Sequence, residues 1–204
     1  MSAERGINVT MLCFISATGA SVPPVFVFPR KRPDPSLVLG GPVGSLGLVH
    51  ESGWMTSENF LISMKHFHSF VKSSNEKPVL LIFDNHNSHI DYYVVKFAKE
   101  NGIVLLTLPP HCSHALQPLD VAVFGPFKSE LRKSHNEWIN RNPGKRISIK
   151  DVAGLCKIPY MEKMGGANIL SGFEKTGIVP FNRNAIPDSK FAPSMVTDRP
   201  GRPM

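Results

Sequence analysis

The sequence predicts an α/β fold, a mixed sheet with helices on both faces. Three observations carry that expectation. Two segments rich in β-branched and apolar residues follow one another near the start, as a hairpin would require. Two continuously apolar runs further on are separated by an amphipathic stretch, the order strand, helix, strand. The second half then shows apolar residues at helical spacing.

"INVTMLCFISATG" (7–19) reads as a strand stopped by Gly19, and "VPPVFVFPRK" (22–31) as its hairpin partner, with its prolines at the ends or on an edge. Residues 33–53 are loaded with Gly and Pro and read as a long loop. "MTSENFLISMKHFHSFVK" places Phe60, Met64, Phe67 and Val71 on one helical face, with Thr56 or Ser57 as cap and Glu58 in the first turn. "KPVLLIFDN" is a short apolar strand of the kind covered on both faces. "DYYVVKFAKENG" is a helix from a capping Asp91 to Gly102, and "IVLLTLPP" a second buried strand. A strand–helix–strand order implies a right-handed crossover and a parallel pair.

After the "PPHCSHALQPLD" loop the pattern predicts a helix of some twenty residues from Asp120, with Val123, Phe127, Leu131 and Trp138 facing inward and a kink at Gly125–Pro126. "SIKD" (148–151) has the form of a capping box, and "ANILSGFEKTG" ends a last helix at Gly177. Residues 1–186 are expected to form one domain and 187–204 a polar, proline-rich tail.

The composition narrows the function. With 204 residues and 42% hydrophobic content, a substantial core is expected. No apolar stretch approaches the ~20 residues of a membrane-spanning helix, and no signal peptide is legible. Three scattered cysteines argue for a reducing compartment. The net charge of +7 is clustered: "PRKRP" at 29–33 carries Arg30, Lys31 and Arg32, and a looser group holds Lys128, Arg132 and Lys133 at i, i+4 and i+5. Clustered positive charge points to a polyanion, nucleic acid above all.

"LLIFDNHNSH" (80–89) ends an apolar run in Asp84. A buried, unpaired carboxylate is costly, so Asp84 either caps a turn or sits at the mouth of the sheet. In a parallel sheet, ligands gather beyond the carboxyl ends of the strands. Asp120, at the start of the long helix, can converge on the same patch, and two carboxylates there would hold a cation. His86, His89, His111 and His114 surround the two acids in sequence, as phosphate contacts, as supports of the acids, or as a zinc site with Asp120. Asn85 and Gln117 can hydrogen-bond the acids or a DNA backbone. Cys112 lacks an orienting acid and is not read as a nucleophile.

"LLIFDNHNSH" followed by "LPPHCSHALQPLDVAVFGPFK" resembles the second and third acid motifs of the DDE-superfamily endonuclease domain in pogo/tigger/jerky-type transposases. "GWMTSENF" and "SGFEKTGIVPFN" extend the resemblance from about residue 5 to 183. It implies a ribonuclease-H-like fold, three acids holding two divalent ions, Mg²⁺ or Mn²⁺, and DNA cleavage by in-line attack at phosphorus. Asp84 and Asp120 are then the catalytic, metal-holding acids. The first acid of that family lies on a strand upstream of the segment matching "SAERGINVT", so the reading expects the first strand and its aspartate to be absent, with Glu4 the nearest acid. The expected protein is a nuclear, transposase-derived DNA-binding domain that cuts DNA inefficiently. Its partners would be DNA and, through an open sheet edge, a second copy of the chain, not a membrane. The alternatives are a non-catalytic DNA-binding or interaction module on a decayed fold, and a zinc hydrolase using His86, His89 and Asp120.

Overall fold

The computed structural model describes residues 8–85 and 89–187, so Glu4, His86 and the tail from residue 188 lie outside the described residues. The architecture is α/β with mixed strand pairing and packed helices. Strand β1 (Thr10–Ile15) pairs antiparallel with β2 (Ser21–Phe28), which pairs parallel with β3 (Leu46–Val49). Helix α1 (Ser57–Val71) leads to β4 (Val79–Phe83), and α2 (Tyr92–Glu100) returns to β5 (Ile103–Thr107), parallel to β4 as the strand–helix–strand order requires. There follow α3 (Ser113–Leu116), α4 (Phe124–Arg141), α5 (Ile149–Lys163) and α6 (Gly166–Lys175).

The caps form where the side chains dictate. Thr56 accepts from the Asn59 N–H at 3.2 Å and Asp91 from the Tyr93 N–H at 2.9 Å. Ser148 and Asp151 close the reciprocal capping box of α5. β2 is the central strand, buried from Pro24 to Phe28, and its two faces feed two cores. Phe26 and Phe28, with Cys13 of β1, pack against Val123, Phe127, Cys156 and Ile169 of the C-terminal helices. Val25, with Phe14 of β1, packs against Phe60, Met64, Val94 and Ile103, which ties the β4–β5 pair and α1–α2 to the first sheet. Each fully buried Phe or Met contributes about 1.5–3 kcal/mol of apolar transfer.

Four expectations need correction. The segment 33–53 is not a featureless loop: it holds a 3-10 turn (Pro35–Val38) and β3. β3 is only four residues long among turn glycines, and its Gly47 leaves room for the Val38 side chain, so local composition hides a strand fixed by tertiary pairing. Pro23 and Pro24 lie inside β2, which is no edge strand. The register of β1 shifts opposite them, between Leu12 and Phe14, and β3 pairs only from Val25 onward, so neither proline needs to donate to a ladder. The β4–β5 pair is not covered on both faces among the described residues. Val79, Leu81, Ile103 and Leu105 face the core, while Leu80 (58% exposed), Val104 and Leu106 face outward. Finally, the segment from Asp120 is not α-helical from its start: a π-helical turn (Leu119–Val123) runs directly into α4, whose Pro126 falls in the first turn.

Candidate functional site

Asp84 leaves the C-terminal end of β4 and is partly exposed. His89 lies beyond it, 9% exposed, with its Nδ1 2.8 Å from Asp84 Oδ1. The approach is an ion pair whenever the imidazole is protonated. Aromatic packing fixes that ring: Phe60 of α1 stacks on it at 4.2 Å between centroids, and Phe83 meets it edge-on at 5.8 Å. A histidine held by two phenylalanines positions the carboxylate beside it, which the spacing of histidines in the sequence cannot show.

Asp120 sits on the π-helical turn, a conformation often found at functional sites. The Gln117 carbonyl accepts from the Asp120 and Val121 N–H groups, both at 3.0 Å, so Gln117 shapes this turn through its backbone. Helix α6 supports the turn from behind. Gly172 approaches so closely that a Cβ there would lie 2.7 Å from the Pro118 carbonyl oxygen. Gly172 is a site-building residue that sequence reasoning missed, although "SGFEKTG" contains it.

Asp84 and Asp120 are near enough to interact. The Asp120 carboxyl is raised above the ordinary aspartate range, first by partial burial and also by the negative charge of Asp84; Lys128 and His114 pull the other way. Asp120 keeps contact with solvent, so both the burial and the repulsion are partial. Two like-charged carboxylates converging on solvent offer hard oxygen donors to a cation, and their fit is to Mg²⁺ or Mn²⁺ rather than to a soft metal. Among the described residues no group of three or more His, Cys, Asp or Glu converges to hold a metal ion.

The remaining candidates separate. His114 is exposed and close enough to act on Asp120, and Asn85 is exposed beside Asp84. His111 is exposed and takes a left-handed φ of 60° between β5 and α3. Lys128 lies 5.8 Å above the Phe124 ring on the Asp120 side of α4, and Arg132 is exposed one turn on. Lys133 is diverted: it binds Glu130 at 2.9 Å, on the side where Lys163 also reaches Glu130. In "PRKRP", Arg30 is held by Asp34 at 2.8 Å, Lys31 pairs loosely with Glu51 at 3.4 Å, and Arg32 is exposed.

The family model for the DDE superfamily endonuclease matches residues 7–158, most of the chain, including both acids. A curated relative, the MFS-type transporter clz9 of Cochliobolus lunatus, is 33% identical over 142 residues, 68% of this chain. The chain spans only 15% of that protein's length. No solved structure matches.

Proposed function

From the premise that this chain belongs to the DDE superfamily endonucleases, we propose that it binds DNA and a divalent cation, Mg²⁺ or Mn²⁺, at Asp84 and Asp120. The single observation that carries the reading is the convergence of these two acids from β4 and the π-helical turn, with Asp120 raised in part by Asp84. Such an ion would supply electrostatic stabilisation to a phosphate oxygen and acidify a bound water. The chain's own residues do the rest. His89, clamped by Phe60 and Phe83, orients Asp84; α6, through Gly172, seats the turn bearing Asp120; Lys128 and Arg132 neutralise phosphates of the approaching backbone. The ribonuclease-H-like arrangement of the family and a nuclear location belong to the same proposal.

Two carboxylates leave most of an ion's octahedral shell to water, so the affinity is weak. In-line phosphoryl transfer by two ions asks for more ligands than these two acids, and misplacement by about 1 Å already costs about 10²-fold in rate. The chain is therefore proposed to bind DNA without cutting it efficiently. The transporter name of the relative is not carried over: the match covers a small part of that protein, and no helix among the described residues is long and apolar enough to cross a membrane. Two assays on one preparation test the reading. Duplex affinity should fall steeply with added salt, because each phosphate contact releases counterions. Supercoiled plasmid with Mn²⁺ should remain un-nicked. Salt-independent binding would refute the DNA reading, and robust Asp84-dependent nicking would show that a further group completes the site.

A further inference from the structure

The strands that matter end together. β3 runs parallel to β2, with Val49 opposite Phe28, so residues leaving both emerge on one side. The Val49 carbonyl accepts from Asn59 Nδ2 at 3.2 Å, which brings the start of α1 to that side. Phe60, the next residue, stacks on His89, and His89 reaches Asp84. "PRKRP" after β2, the turn His50–Trp54 after β3, and Asp84 after β4 therefore share one end of the molecule, where α2 also begins.

That end carries three of the five exposed Phe, Tyr and Trp rings among the described residues: Trp54 (62%), Tyr92 (70%) and Tyr93 (65%); Phe70 and Phe181 are the others. Lone exposed apolar residues are ordinary. Trp54 is not ordinary in how it is held. The His50 N–H donates to the Phe28 carbonyl at 3.0 Å and the Gly53 N–H to the His50 carbonyl at 2.8 Å. The Gly53 carbonyl accepts from Asn8 Nδ2 at 3.1 Å and from Thr10 Oγ1 at 2.8 Å, and the Trp54 N–H donates to Ser52 Oγ at 3.2 Å. Gly53 has φ 70° and presses so closely on the Asn8 carbonyl that no Cβ fits. A clamped turn thus presents an indole to solvent; the Lys31 ammonium reaches Glu51 of that same turn, and exposed Arg32 follows Lys31 in the chain.

We propose that Trp54, with Lys31 and Arg32, and the Tyr92–Tyr93 pair at the start of α2 form a binding site for unpaired nucleotides, so that the DNA accepted at this end has single-stranded character near the acids. The inference rests on the DNA reading above and deepens it. Every base offers a π-face to an indole whatever its identity, while the phosphates on either side take the basic residues. A blunt duplex keeps its base faces stacked inside and gives a clamped indole nothing to stack on. The exposed basic side chains favour a polyanion, and the exposed rings favour one whose bases are unstacked.

Fluorescence anisotropy with the full chain tests this, using a labelled oligothymidylate of about fifteen nucleotides and a blunt duplex of equal phosphate count at one salt concentration. The chain should prefer the single strand. Trp54→Ala should weaken single-strand binding about ten-fold and duplex binding little, and Trp54→Phe should restore most of the loss. In a Trp138→Phe background, single strand should quench the remaining Trp54 emission. Preference for the duplex, or a Trp54→Ala protein that binds single strand as the parent does, overturns the proposal. Mn²⁺ titration of the same proteins separates it from the reading beneath. Intact Asp84-dependent Mn²⁺ binding with no effect of Trp54→Ala removes the strand preference alone. Binding of Mn²⁺ that ignores both acids removes the metal reading, whatever Trp54 does.

Discussion

Replacing Gly172 with Ala sets two effects of opposite sign against each other. Gly172 lies in the interior of α6, where Ala is preferred over Gly by about 0.5–1 kcal/mol, so helix propensity alone predicts a gain in stability. The new Cβ would stand 2.7 Å from the Pro118 carbonyl oxygen and 3.2 Å from its carbon, where ordinary contact begins at 3.4 Å. α6 and the turn must therefore separate by about 0.7 Å, the difference between 3.4 and 2.7 Å, and the obstacle is backbone that cannot rotate away. Overpacking of this kind costs about 1–3 kcal/mol, so the clash outweighs the helix-propensity gain and the net change is a loss of about 0–2.5 kcal/mol. For a chain of this length that lowers Tm by up to about 10 °C. The displaced turn carries Asp120, so Mn²⁺ affinity should fall with stability. Gly125→Ala is the control: nothing lies within 4 Å of its Cβ, and it should leave Mn²⁺ affinity unchanged while matching or exceeding the parent in Tm. Thermal melts and Mn²⁺ titration of both variants decide the matter. A Gly172→Ala protein more stable than its parent, with unchanged Mn²⁺ affinity, would refute the claim that α6 seats Asp120.

Three further outcomes follow from individual groups. The folded-state pKa of Asp120 is raised, so the native protein holds that proton more tightly; its contribution is full below the unfolded carboxylate value of about 3.9 and is lost as pH rises through the raised value. Metal-free Asp120→Asn should lack that loss and exceed the parent in Tm near neutral pH but not in acid; identical Tm-versus-pH curves would contradict the upward shift of this carboxyl. Lys128→Glu with Arg132→Glu should weaken duplex binding evenly across sequences and lower the salt slope by roughly one per lost phosphate contact, whereas Lys133→Gln should do little because Lys133 already serves Glu130; the reverse ranking in a salt titration would move the DNA to the α5 side. Cys13, Cys112 and Cys156 are all buried, with the Cys156 thiol pushed up to about 12 by burial and Cys13 raised further, first by burial and then by Cys156. None should react with a thiol reagent at mild pH until the chain is unfolded, and rapid native labelling of Cys112 would reopen its reading as a nucleophile.

Much of the fold was legible because local chemistry and tertiary structure agree. Asp91, Thr56 and the Ser148–Asp151 box cap their helices, and the apolar runs at 79–83 and 103–107 pair in parallel. β3 was not legible, because its pairing with β2 is non-local and its composition is that of a loop. The uncovered face of β4–β5 was not either, since a run such as VLLIF reads the same whether one face or both are covered. At the site, Asp84 and Asp120 stand out in sequence as acids at element ends. The Phe60–His89–Phe83 stack and the Gly172 approach do not, because they join residues far apart in the chain through shape rather than spacing.

The central claim is that Asp84 and Asp120 form one cation site, and Mn²⁺ binding followed by electron paramagnetic resonance tests it most directly. The account predicts weak, saturable binding by the parent chain, competed by Mg²⁺ and weakened as pH falls and Asp120 takes up its proton. Asp84→Ala and Asp120→Ala should each abolish it, and Asp120→Ala should leave the metal-free fold as stable as before or more so, because a like-charge repulsion is removed. Binding that survives both substitutions would contradict the account.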